Sequence, residues 1–271
     1  MPKFFFDAEH LNGDFIDLNG KTAHHIVNVL RYKKGDKILL CDGNCIDYVS
    51  RLVSYETHKK SVKARFEVLE ARKCLNELPF FVRLFQSVIK WDNLNFAIQK
   101  SVEVGVSEIV PLVAERSNYG ISDVKKKVGR MNQIAKSAAE QSKRGIVPRV
   151  TEPINMDCFA SLAMTEGEVH AMTKGEVLAM TKGEVHAMTT VHETQAFFAC
   201  CDESVSLVSR LENIKFDKVD LWIGPEGGFT DYEKKSMKES SIIPFNLGPR
   251  VLRSETASIV SIASLALFCQ R

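Results

Sequence analysis

Apolar and polar positions change their rhythm near Pro79. Before it, stretches such as "HKKSVKARFEVLEAR" alternate apolar with polar residues, the period of a half-buried strand, and "KKGD" and "DGN" supply turn signals between short strands. One helix is predicted over Thr22–Val29. The pattern predicts a small, mostly β unit, a barrel, over residues 1–74. After Pro79, "FFVRLFQSVIK", "VSEIVPLVAE", "TQAFFACC" and "KVDLWIG" read as buried strands. Between and after them, "WDNLNFAIQKSVEVG", "SDVKKKVGRMNQIAKSAAEQSKR" and "TDYEKKSMKES" carry helical spacing. Strand–helix alternation of this kind predicts an α/β domain over residues 75–271, with a mostly parallel sheet and helices on both faces. "IIPFNLG" adds a strand, and the nearly charge-free "ETASIVSIASLALF" a buried helix that Ser254 can cap.

One segment follows neither rhythm. "AMTEGEVH", "AMTKGEVL" and "AMTKGEVH" repeat in tandem from Ala163 to His186. Each copy holds a glycine and little apolar mass, so it builds no core by itself. Residues 160–192 are predicted to be a surface insertion without a catalytic role, and His170 and His186 are not assigned to a metal.

Composition narrows the class. The 271 residues are 45% apolar and 26% charged, ordinary for a globular protein. Asp7 and Glu9 interrupt the early phenylalanines, and the uncharged run Thr256–Gln270 is too short to cross a bilayer. The expected location is the cytoplasm, with no membrane partner. Seven cysteines, none spaced C-x-x-C, predict incidental thiols rather than zinc or disulfides. The formal net charge of +2 is unevenly spread. Most of the positive excess lies between Arg116 and Arg149, a block suited to a polyanion.

Two turns carry the candidate chemistry. "LWIGPEGGFT" places Gly224, Gly227 and Gly228 directly after a strand, where α/β proteins bind ligands. It is neither G-x-G-x-x-G nor a P-loop, which argues against a nucleotide-dependent oxidoreductase. Thr230 and Glu233 form a capping box, so that threonine is structural. The second turn, "LGPRVLRSETA", sets Arg250 and Arg253 at a strand end with Glu255 as their one local acid. Glu255 also suits a helix first turn, whereas an arginine fork there suits phosphate or base oxygens.

Together, "GPEGG" and "LGPRVLRSETA" closely resemble the RsmE family of 16S ribosomal RNA uracil-N3 methyltransferases, in the SPOUT class. "IQKSVEVGVSEIVPL" and "AKSAAEQSKRGIVPRV" resemble further family blocks, and "HHIVNVLRYKKGD" resembles the family's PUA-like RNA-binding barrel. The resemblance covers all but about residues 160–192. It implies a C-terminal trefoil knot, S-adenosylmethionine as cofactor, no metal, a homodimer, and 16S rRNA of the small ribosomal subunit as partner, with uracil 1498 the expected target. The cofactor residues would be Ile223, Gly224, Pro225, Glu226, Gly227, Gly228, Asn246, Leu247, Gly248, Val251 and Leu252. Arg253, then Arg250, would stabilise charge on the uracil oxygens, and Glu226 or Glu255 would assist proton removal. RNA contacts would come from Arg31, Lys33 and Lys34, and from Arg116, Glu140, Gln141, Lys143 and Arg144. A ribose 2′-hydroxyl or guanine N1 target, or an inactive RNA-binding homologue, stays open as an alternative.

Overall fold

The structure, a computed structural model, describes residues 1–58, 61–156, 194–212 and 216–268. The octapeptide repeats lie outside the described residues. The chain divides into two compact units: Met1–Leu78 with Gln133–Pro148, and Pro79–Asn132 with Arg149–Arg271. Where the sequence pattern suggests one boundary between residues 74 and 75, the division falls after Leu78 and also takes 133–148 into the first unit.

In the first unit, β1 (Lys3–Phe5), β2 (Leu11–Asn12), β3 (Phe15–Asn19), β4 (Lys37–Cys41), β5 (Ile46–His58) and β6 (Ser61–Lys73) form one sheet in the order β1-β4-β5-β6-β3-β2. β1 runs parallel to β4, and the other ladders are antiparallel. Alternate residues supply one core: Ile16 and Leu18, Ile38 and Leu40, Ala64 and Phe66. The predicted helix at Thr22–Val29 is two pieces, α1 (Gly20–His24) and a π-helical turn over His25–Val29, which add Ala23, Ile26 and Val27 to that core.

The second unit holds a parallel sheet. Its strands are β7 (Phe81–Ser87), β8 (Glu108–Val113), β9 (Arg149–Val150), β10 (Ile154–Asn155), β11 (Thr194–Ala199), β12 (Lys218–Ile223) and β13 (Ile243–Phe245). Their order is β10-β8-β7-β12-β11-β13, with β9 also on β8, and every ladder is parallel. Near-continuous burial along β7 and β12 is what a sheet covered on both faces requires. The helices are α2 (Trp91–Glu103), α3 (Ile121–Lys125), α4 (Val128–Gln141, along which the chain passes into the first unit), α5 (Leu207–Leu211), α6 (Asp231–Glu239) and α7 (Ser254–Phe268). The single helix predicted from Ser122 is therefore broken. α3 ends at Lys125 and α4 begins at Val128; between them Lys127 N–H donates to Val124 O at 2.9 Å, a tighter turn than the α-helix. Parallel strands end on the same edge, which gathers the loops following β7, β8, β11, β12 and β13.

Candidate active site

The turn after β12 is held from several directions. Gly228 N–H closes it on Pro225 O at 2.9 Å, with Gly228 at φ +68°, a conformation glycine adopts without strain. From the loop after β8, Arg116 Nη1 donates to Gly227 O at 2.7 Å and Asn118 Nδ2 to Glu226 Oε2 at 3.0 Å. Behind the turn, the expected capping box is present: Glu233 N–H donates to Thr230 Oγ1 at 3.3 Å and Thr230 N–H to Glu233 Oε2 at 2.8 Å. Glu233 also accepts from Glu115 N–H at 2.9 Å, so one carboxylate ties the two loops together.

The turn after β13 is anchored only at its root. Asn246 Nδ2 donates to Glu203 O at 2.6 Å, and Asn246 Oδ1 accepts from Gly248 N–H at 3.1 Å. Glu203 lies beside it, its carboxyl held below the usual carboxylate range first by the Val205 N–H. Beyond Asn246 the chain is open. Gly248, Pro249, Arg250 and Arg253 are exposed, and Val251 is 81% exposed. No side-chain partner is found for Arg250 or Arg253 among the described residues.

Two cavities adjoin these turns. One of about 250 Å³ is lined by Ile223, Gly224, Pro225, Phe229, Leu252 and Ser254, among others. Another of about 440 Å³ is lined by Phe245–Leu252 with Glu203. They share Ala199, Cys201, Val251, Leu252 and Ala257. Of the eleven expected cofactor residues, Gly227 lines neither, because its carbonyl faces Arg116.

Ser254 is where local reasoning fails. It is not a helix cap: its hydroxyl donates to Gly224 O at 2.6 Å and accepts from Gln86 Nε2 at 2.9 Å. The first helical bond runs instead from Ala257 N–H to Arg253 O, at 2.8 Å. Glu255 is buried, lines neither cavity, and leaves Oε2 without a partner. Gln86, Asn118 and Ser258 carried no sequence signal at all.

The expected RNA contacts divide. Arg31, Lys33, Lys34, Gln141 and Lys143 are exposed. Arg144 is a correction: it is 3% exposed, and its guanidinium is committed to Glu77, whose Oε1 also accepts Gly145 N–H at 2.8 Å. Burying that arginine unpaired would cost several kcal/mol, so it belongs to the fold. Glu140 accepts from Phe5 N–H at 3.4 Å, and burial pushes its carboxyl pKa up. Arg116 sits on the glycine turn rather than apart from it.

With this geometry in place, similarity to known proteins becomes specific. A family profile described as an RNA methyltransferase domain matches residues 76–266, and one described as an RNA methyltransferase PUA domain matches residues 18–67. The ribosomal RNA small subunit methyltransferase E of Bacillus subtilis is 32% identical over 92% of this chain and 88% of its own. The chain belongs to this methyltransferase E family. Its relative from Buchnera aphidicola subsp. Schizaphis graminum is 30% identical over 98% of this chain and 96% of its own. The crystal structure of the Neisseria gonorrhoeae member, bound to S-adenosyl methionine, is 28% identical, with a TM-score of 0.76 over 98% of this chain and 96% of that one. Along the chain the PUA match precedes the methyltransferase match. No helix among the described residues is long and apolar enough to cross a membrane.

Proposed function

We propose that this protein transfers the methyl group of S-adenosylmethionine to N3 of a uridine in 16S rRNA of the small ribosomal subunit, at uracil 1498. The observation that carries the reading is the convergence of two glycine-bearing turns on adjoining cavities, with Arg253 exposed beside them. The lining suits the cofactor. Ile223, Phe229, Leu252 and Ala257 offer apolar surface for the adenine base, and a Cβ on Gly224 would meet Phe229 at 3.2 Å.

S-adenosylmethionine, when bound, supplies a methyl group already activated by its sulfonium. The chain's own task is to orient the uracil and favour loss of its N3 proton. That loss spreads negative charge over O2 and O4, which an arginine can stabilise where it develops. Arg253 stands nearer than Arg250 to the Gly224 turn, since it lines the smaller cavity. Of the two candidate bases, Glu226 is exposed and lines the smaller cavity while Glu255 is buried and lines neither, which favours Glu226 as the group that takes the proton. The exposed cations Arg31, Lys33, Lys34 and Lys143 would meet phosphates. The trefoil knot, a cytoplasmic location and a homodimer complete the reading, as the sequence resemblance implies.

The test is to incubate the protein with methyl-labelled S-adenosylmethionine and small subunits from a strain lacking the modification, then analyse the nucleosides. N3-methyluridine is the expected product. Label on a ribose 2′-oxygen or guanine N1 would overturn the target, and cofactor binding without any label would mark an inactive RNA-binding homologue.

A further inference from the structure

Gln86, the penultimate residue of β7, has its side chain fully buried and bonded to Ser254 in the N-terminal turn of α7, 168 residues on in sequence. Its amide nitrogen donates to Ser87 O at 3.0 Å and to Ser254 Oγ at 2.9 Å. Its amide oxygen accepts from Ser258 Oγ, a hydroxyl that also lies 3.0 Å from Ser254 O. Proton order along this chain follows from chemistry. The Ser87 carbonyl can only accept, so the amide must present its NH₂ on that side. Both amide protons are then used, and Ser254 Oγ is an acceptor toward Gln86. A hydroxyl has one proton, and the acceptor left for it is Gly224 O, at 2.6 Å. Ser254 and Gly224 both line the smaller cavity.

We infer that Gln86 and Ser254 are positioning residues for cofactor binding: a one-way hydrogen-bond relay, Gln86 to Ser254 to the Gly224 carbonyl, sets the conformation of the glycine turn from beneath. The inference rests on the S-adenosylmethionine reading above. The relay is buried at each side chain, with Gln86 and Ser258 at 0% exposure and Ser254 at 6%, so removing a member leaves its partners short of a hydrogen bond. Gly224 is itself constrained on its other side, because a Cβ there would lie 3.2 Å from both the Phe229 ring and its backbone nitrogen. The turn is thus fixed by the relay from below and by Phe229 from the side. Neither Gln86 nor Ser254 needs to touch the reacting atoms.

The test measures S-adenosylhomocysteine affinity by calorimetry and the melting temperature of the ligand-free protein. Ser254→Ala is expected to weaken affinity about tenfold, as loss of one buried hydrogen bond does, and to lower the melting temperature by about 2–4 °C. Ser254→Thr, which keeps the hydroxyl, is expected to restore affinity. Gln86→Glu is nearly isosteric but, when ionised, only accepts, so it draws the Ser254 proton away from Gly224. Affinity in that variant is expected to improve as pH falls from about 8 to about 6, where the buried carboxyl regains a proton, while wild-type affinity shows no such trend. Wild-type affinity in Ser254→Ala, or a lower melting temperature with affinity unchanged and no pH trend in Gln86→Glu, would overturn the relay. Failure of the wild-type protein to bind S-adenosylhomocysteine would overturn the cofactor reading instead.

Discussion

The two turns that meet at the cavities are built to different standards of rigidity. The 224–228 turn has its carbonyls at Gly224 and Gly227 occupied by Ser254 and Arg116, its Glu226 side chain held by Asn118, and Phe229 buried behind it. The 246–253 turn is pinned at Asn246 and then projects, with Val251 81% exposed and both arginines unpartnered among the described residues. A turn that must present a constant backbone surface gains from being over-determined. A turn that must meet a large substrate gains from surface and charge left open, at the cost of local stability. Under the proposed function, the first turn would present a fixed surface to the cofactor, and the second would complete that surface while holding its arginines open to substrate.

Three substitutions test that division, in order of expected effect. Arg253→Ala removes the exposed guanidinium and is expected to lower methyl transfer by about 10²–10³-fold, with S-adenosylhomocysteine affinity within about threefold of wild type by calorimetry. Unchanged turnover would remove Arg253 from the chemistry. Gly224→Ala inserts a Cβ 3.2 Å from the Phe229 nitrogen, where backbone rather than a flexible tip must move. It is expected to destabilise the ligand-free protein by about 1–3 kcal/mol in urea unfolding and to weaken cofactor affinity; a neutral outcome would mean that the first turn is as pliant as the second. Val251→Ser, on the open turn, is expected to shift stability by less than about 0.5 kcal/mol. A loss above about 2 kcal/mol that vanishes on dilution would show that a second copy of the chain covers this residue, and the contrast between the turns would then hold only for the single chain.

Legibility in the sequence tracked the distance between partners. Thr230 and Glu233 are three residues apart, and their capping box was readable because both ends of each bond lie in one short window. The glycine turn was readable for the same reason, since a strand, a tight turn and a helix follow one another directly. Ser254 was misread as a cap because its neighbours in sequence are a helix, while its partners are Gly224, 30 residues back, and Gln86, 168 residues back. Arg144 was misread as an RNA contact because basic residues near a helix end are usually exposed. Glu77, 67 residues earlier, takes it into the interior. The break between α3 and α4 was masked in the sequence by Val124, Val128 and Met131, apolar positions that keep helical spacing across it.

What the sequence determined by itself was the pattern of local structure and the types of residue brought to the strand ends. It settled a β unit followed by an α/β unit, a glycine turn after β12, and two arginines after β13, because these depend on residue size, φ freedom and periodicity over a dozen positions. Only the tertiary structure decided which polar groups are joined. A buried hydrogen bond is made by whatever donor the fold carries within about 3 Å of an acceptor, and nothing in local spacing says that Gln86 will arrive beneath Gly224, that Arg116 will hold Gly227, or that Glu255 will face away from the cavities while Arg253, two residues earlier, opens to solvent.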